Sequence, residues 1–189
     1  MEELIKEIER EIKNCRKCDL FKNRTNPVPG SGSYKSKIML IGEAPGYWED
    51  KKGEPFVGKA GKFLDELLLL IGRRREEVFI TNVVKCRPPN NREPTEEEVK
   101  ACTPYLDRQI EIIKPKIIVT LGNVATTYIF KKFGLKVESI SRIHGKVFEV
   151  STLLGKIKII PMYHPATALY NPRMKDVLRE DWKKLRGLL

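Results

Sequence analysis

Apolar residues divide this chain into two kinds of segment that alternate along its length. Short, mostly apolar runs occur at Ile38–Ile41, Val78–Val84 and Ile117–Leu121, the pattern of parallel strands covered on both faces. Lys146–Val150 and Lys156–Ile160 read as further strands flanking a Leu154–Gly155 turn. Between the runs, apolar residues recur at helical spacing: Leu4, Ile5, Ile8 and Ile12; Phe63, Leu64, Leu67, Leu68 and Ile71; Cys102, Leu106, Ile110 and Ile113; Val177, Leu178, Trp182 and Leu185. Each set predicts an amphipathic helix. Thr95 and Glu98 form a capping box ahead of the third, and Gly122–Ala125 opens a shorter one. Residues 19–36, with Asn26-Pro-Val-Pro-Gly30, read as a loop or linker, and 48–53 as a polar connection. The alternation predicts a three-layer α/β/α fold with a central, mostly parallel sheet of four strands. The expected organisation is one domain over residues 1–189 with an N-terminal arm, residues 1–36.

Open α/β sheets bind ligands beyond the carboxyl ends of their strands. Gly42-Glu43-Ala44-Pro45-Gly46 follows the first run, Asn82 lies near the end of the second, and His164 follows the strand ending near Ile160. The three side-chain-bearing positions Glu43, Asn82 and His164 should therefore meet at one sheet edge. No G-x-G-x-x-G or G-x-x-x-x-G-K-[ST] fingerprint is present, which argues against dinucleotide binding and P-loop NTPase activity.

Charge adds a partner class. With 36 Lys+Arg against 25 Asp+Glu, the 189-residue chain carries +11, which points to a polyanion: nucleic acid first, an anionic membrane surface second. A charge-rich thermophile surface is the plainer alternative, compatible with 32% charged residues. No signal peptide, lipidation motif or bilayer-length apolar run is present, and the expectation is a cytoplasmic, nucleoid-associated protein that binds no membrane.

The four cysteines add chemistry. Cys15 and Cys18 form C-x₂-C, and fifteen residues separate Cys86 from Cys102. In an intracellular chain this suggests one four-thiolate site, structural in role, tying the arm to the segment after the second strand. Spacing alone leaves zinc, a [4Fe–4S] cluster and disulfides open.

Taken together these pieces resemble the family 4 uracil-DNA glycosylases, the iron–sulfur branch of that superfamily. The likeness runs from Cys15 to about Pro172. It rests on the four cysteines, Gly42-Glu-Ala-Pro-Gly46, Pro55-Phe-Val-Gly-Lys-Ala-Gly61, Thr81-Asn-Val-Val-Lys-Cys-Arg-Pro-Pro89, Asn91-Arg-Glu-Pro94, Leu121-Gly-Asn-Val-Ala125 and His164-Pro-Ala166. The resemblance implies hydrolysis of the N-glycosidic bond of deoxyuridine flipped out of DNA. It also implies a [4Fe–4S] cluster on Cys15, Cys18, Cys86 and Cys102.

By the same resemblance Phe56 stacks the uracil, Asn82 reads its O4 and N3–H, and His164 donates to O2 as the base departs. Gly42 and Ala44 border the pocket, and Tyr47 is the wall against thymine. Ala44 stands where Asp-carrying relatives orient the attacking water, which leaves Glu43 as the candidate for that task. Pro165, Ala166, Leu169 and Tyr170 belong to the implied DNA-inserting loop, with Leu169 as the wedge. Tyr170 stands where family members often carry Arg. His144 is expected on a loop or DNA-facing rim. The expected partner is uracil-containing DNA and the expected state a monomer; a sliding-clamp contact is not readable from these residues. The rival of another class is a non-catalytic iron–sulfur protein for nucleic-acid binding or electron transfer, which needs no particular Asn82 or His164 chemistry. A covalently binding branch of the superfamily needs a Lys/Arg-rich insertion ending in His, absent from residues 83–101.

Overall fold

A computed structural model describes residues 1–153 and 155–189; Leu154, half of the expected turn, lies outside them. The strands are β1 (Ser31–Gly32), β2 (Ile38–Gly42), β3 (Phe79–Asn82), β4 (Ile117–Leu121), β5 (Phe148–Thr152) and β6 (Gly155–Met162). They form one sheet in the order β1-β3-β2-β4-β6-β5. The inner four are parallel, while β1 and β5 pair antiparallel at the two edges.

The expected four-stranded sheet is thus the parallel centre of a sheet of six. Both additions sit where apolar patterning is weakest. β1 is two small residues held against Phe79 and Ile80, and β5 is an edge strand without a fully buried residue.

The helices are α1 (Glu2–Lys13), α2 (Tyr47–Lys52), α3 (Lys59–Leu70), α4 (Glu96–Ile113), α5 (Asn123–Lys132), α6 (Ile140–Ile143), α7 (Thr167–Tyr170) and α8 (Met174–Arg186). Successive strand residues serve opposite layers. Leu40, Val119 and Ile160 pack with Leu64, Leu67 and Trp182 of α3 and α8. Met39, Ile41 and Ile118 pack with Ile5, Leu106 and Ile129 of α1, α4 and α5. That period-two division is what makes the buried strands apolar throughout.

The capping box forms as expected: Glu98 N–H donates to Thr95 Oγ1 at 3.2 Å, and Thr95 N–H to Glu98 Oε1 at 2.8 Å. Residues 48–53, expected as a polar connection, belong mostly to α2. Its first turn follows Gly46, and it stops at Gly53 with φ 72°. Six residues with one buried side chain, Asp50, leave almost no helical periodicity to detect.

Candidate functional site

Parallel strands ending at one edge deliver their terminal residues to a cleft of about 590 Å³. Glu43, Ala44, Tyr47, Phe56, Asn82, His164, Ala166, Leu169 and Tyr170 all line it. Gly42 lies beneath, paired in register with Asn82 across β2 and β3. A methyl group on Gly42 would stand 2.5 Å from Asn82 Oδ1 and 2.7 Å from Phe56 Cζ. This position must therefore lack a side chain for the amide and the phenyl ring to share the pocket floor. Pro165 is buried behind the lining.

Asn82 Oδ1 is buried and, among the described residues, has no hydrogen-bond partner. A buried unsatisfied acceptor costs roughly 1–3 kcal/mol, so a ligand donor that fills it recovers that cost on binding. The Phe56 ring beside Asn82 stacks on the His164 imidazole with centroids 5.4 Å apart and planes at 27°.

Phe56 itself holds a left-handed backbone, φ 52°, which a non-glycine residue adopts only when its surroundings impose it. Here they do so from three sides. Glu49 Oε2 accepts from the N–H groups of Val57 and Gly58, both at 2.8 Å, while its Oε1 accepts from Gly46 N–H at 3.0 Å. Arg75 donates to the carbonyl oxygens of Pro55, Phe56 and Gly61. Gly61 lies so close that a methyl group there would come within 1.8 Å of the Phe56 carbonyl oxygen.

His164 Nδ1 accepts the Ala166 N–H at 3.0 Å, so in the neutral ring the proton sits on Nε2. Burial disfavours charge on the ring and pulls its pKa down to about 4, with the Glu49 carboxylate acting the other way. The result is a neutral donor at physiological pH. Gly122, φ 93°, makes room for it, since a methyl group there would lie 3.1 Å from His164 Cβ.

Glu43 is half-buried, and burial with the nearby Glu93 charge raises its carboxyl pKa. Its main chain is fixed, because its carbonyl accepts Val84 N–H at 3.1 Å. Among the described residues no group hydrogen-bonds its carboxylate, which faces the cleft.

Residues 164–172 form the far rim. α7 is one short turn, held by backbone bonds such as Thr167 N–H to His164 O and Leu169 N–H to Ala166 O, each 2.9 Å. Leu169 and Tyr170 project, 42% and 88% exposed. His144 stands apart from this rim: it caps α6, and its Nδ1 lies 2.6 Å from Asp181 Oδ2 of α8, a bond that ties two elements together.

The four cysteines line one pocket with Ile12, Leu20, Val84 and Tyr105. Polar hydrogens point at the sulfurs: Arg24 Nη1 at 3.3 Å from Cys86 Sγ, Lys85 N–H at 3.2 Å from Cys102 Sγ, and Lys17 N–H at 3.5 Å from Cys15 Sγ. Burial pushes the Cys102 thiol up to about 12 and raises Cys18 and Cys86. Among the described residues no disulfide forms and no thiol set converges on a single-ion position.

Between cleft and cysteines lies Lys85, 1% exposed. Its Nζ donates to Thr81 Oγ1, the Asn82 carbonyl and Gln109 Oε1 at 2.6–2.8 Å. Burial pulls its pKa down to about 7, while the Cys102 thiol acts the other way; three acceptors match the three N–H bonds of an ammonium. Sequence reading did not assign Lys85, Glu49 or Arg75. Glu49 at capping-box spacing from Gly46 was a signal, as was a lysine directly after Val83-Val84; Arg75 gave none.

The family model described as the uracil DNA glycosylase superfamily matches residues 29–186. A type-4 uracil-DNA glycosylase of Archaeoglobus fulgidus is 55% identical over 98% of this chain and 94% of its own. One of Sulfurisphaera tokodaii is 54% identical over 97% and 84%, and one of Thermotoga maritima 46% over 100% and 96%. With a match over most of the chain and relatives at this identity, the chain belongs to the uracil-DNA glycosylase superfamily, in its type-4 branch.

Proposed function

We propose that this protein excises uracil from DNA by hydrolysing the bond between uracil N1 and deoxyribose C1′, leaving free uracil and an abasic site. The observation that carries the reading is the orphaned Asn82 Oδ1 at the pocket floor, beside the Phe56 ring. It is an acceptor waiting for the N3–H that uracil has and cytosine lacks. The Asn82 amide donates to O4, where cytosine presents a donor of its own. Phe56, locked by Glu49 and Arg75, stacks the flipped base, whose extraction costs a few kcal/mol.

As the C1′–N1 bond lengthens, the sugar becomes oxocarbenium-like and the bonding pair leaves with the base, its charge spreading to O2. His164 Nε2–H is a neutral, preorganised donor for that oxygen, and such donors stabilise a developing oxyanion without moving a proton. Glu43 orients the water that adds to C1′ and accepts its proton. This leaves Ala44 as a neutral border between the cleft and the cysteine pocket, against which it packs. Tyr47 walls off the thymine methyl, and Leu169, on the turn led by Pro165 and Ala166, fills the gap left by the base, with Tyr170 beside it.

Cys15, Cys18, Cys86 and Cys102 would hold a [4Fe–4S] cluster. Four thiols ringing one pocket, with N–H groups aimed at three of the sulfurs, suit a polynuclear thiolate group. When bound it would tie α1 and the arm, residues 1–36, to α4 within a single domain. The formal charge of +11 supplies the affinity for the DNA backbone.

The test is single-turnover cleavage of matched uracil and cytosine oligonucleotides. Asn82→Asp should weaken uracil cleavage and admit cytosine, because a carboxylate accepts from N4. His164→Ala should slow uracil cleavage roughly 100- to 1000-fold without granting cytosine activity, since O2 is common to both bases. Parental rates in either variant would remove the pocket assignment.

A further inference from the structure

Among the described residues only three aromatic side chains are classed as exposed, Tyr47, Trp48 and Tyr170, and all three line the cleft. Tyr170 belongs to the inserting turn. The other two sit on the opposite rim, at the first turn of α2. Their rings meet edge to face, centroids 5.1 Å apart and planes at 89°. The Tyr47 ring is covered by two cations, Arg87 at 5.3 Å and Lys51 at 5.5 Å. Among the described residues no cation lies over the Trp48 indole, which is 56% exposed. Its inner edge rests near Gly58, where a methyl group would come 3.5 Å from Trp48 Cδ1. Trp48 is therefore seated on the same Glu49-clamped loop that carries Phe56.

Exposed apolar side chains that adjoin one another, as Trp48 and Tyr47 do, mark an interaction surface where a lone one does not. Trp48 adjoins the cleft, stands at the first turn of α2 and lies beside the Tyr47 ring, over which Arg87 and Lys51 sit. We propose that Trp48, steadied by Tyr47, is a stacking platform for an unpaired nucleobase flanking the flipped uridine. It would favour single-stranded or locally melted DNA over intact duplex. The inference rests on the glycosylase reading for its setting and deepens it by naming a subsite. The physical reason for strand preference is simple. A base inside a duplex hides both faces against its neighbours, whereas a single strand presents them. Stacking on an aromatic side chain contributes roughly 1–3 kcal/mol per base, whatever the base. Arg87 and Lys51 are placed to meet the adjoining phosphates.

The chain offers its own probe. Of its two tryptophans, Trp182 is fully buried, so a fluorescence change on DNA binding reports Trp48. Titration of the holoprotein with a uracil-free single-stranded oligonucleotide should quench and shift the emission more than titration with the matching duplex. Trp48→Leu should abolish the quench and weaken single-strand binding by roughly 5- to 150-fold, with a much smaller effect on duplex. Trp48→Phe should restore most of the single-strand affinity, measured by anisotropy of a labelled oligonucleotide. Absence of quenching, equal losses on both substrates, or parental single-strand affinity in Trp48→Leu would overturn the platform.

Because the oligonucleotide contains no uracil, the result does not depend on excision. Uracil release without quenching removes the platform and leaves the glycosylase reading intact. Quenching without uracil release does the reverse.

Discussion

The two rims of the cleft are built on opposite principles. The rim carrying Phe56 is over-determined. A strained φ of 52° is held by three N–H groups on Glu49, three carbonyls on Arg75 and the bare Cα of Gly61. The rim carrying Leu169 and Tyr170 is a single turn on backbone bonds, and these two side chains, half and almost wholly exposed, point into solvent. A surface that must tell one base from another gains from arriving preassembled, because any freedom in it is lost on binding. A surface proposed to enter a DNA helix of variable shape gains from adapting. His164 belongs to the second segment by sequence and to the first by physics: its ring is fixed by Ala166 N–H and stacked on Phe56.

The comparison is broken most severely at Gly61. On helix propensity alone, Gly61→Ala in α3 should stabilise by about 1 kcal/mol. Sterics reverse the sign, since the new methyl would stand 1.8 Å from the Phe56 oxygen and 2.2 Å from its carbonyl carbon. Either Phe56 leaves its position or α3 shifts. The expected outcome is a loss of about 3 kcal/mol or more in thermal unfolding, with uracil cleavage down by two orders of magnitude or more. Parental melting and cleavage would mean that the loop is not clamped.

The adaptable rim should respond in the opposite way. Leu169→Ala shortens a side chain that is 42% exposed on a single turn, so stability should fall by no more than about 1 kcal/mol. Cleavage of uracil in duplex should fall about tenfold, the value of one apolar side chain newly buried against DNA. Single-stranded substrate should lose less, having no vacated stack to fill. A drop in melting temperature comparable to that of Gly61→Ala would erase the distinction between the rims.

The same contrast governs what was readable in the sequence. The parallel strands, the long helices and the capping box follow from periodicity and cap chemistry, because burial on two faces leaves an unbroken apolar trace. Glu43, Asn82 and His164 were legible from strand ends alone, and the structure brings them to one cleft. β1, α2 and α6 are too short or too polar to leave a periodic signal. Arg75 was invisible for another reason. Its task is to collect carbonyls from residues 14 to 20 positions away, and no local pattern encodes that. Trp48 was visible as a residue, but its exposure, the point of its proposed role, is a tertiary fact.

The smallest expected effect concerns protons, and it sharpens the view that the fixed rim works without charge on its histidine. With its pKa held near 4, His164 stays neutral through the range where an ordinary histidine titrates. The rate should accordingly show no step near pH 6.5. For stability the sign is definite. Between about pH 4 and 6.5 the unfolded chain binds the His164 proton and the folded chain does not, so stability falls as the solution is acidified through that window.

Glu43 behaves oppositely, because burial and Glu93 raise its pKa, and in the proposed mechanism it acts ionised, orienting water. An acid limb in the single-turnover pH–rate profile should therefore belong to Glu43, with the rate falling as pH drops through it. Glu93→Gln removes the like charge and should move that limb to lower pH. Glu93 is exposed, so the displacement should be modest and should shrink further as salt screens it. Desolvation, the larger cause, is indifferent to salt, and most of the raised value should persist in the variant. A limb that stays in place at low ionic strength would assign it to another group. One that moves equally at all salt concentrations would mean that Glu93 acts on Glu43 through structure and not through its charge.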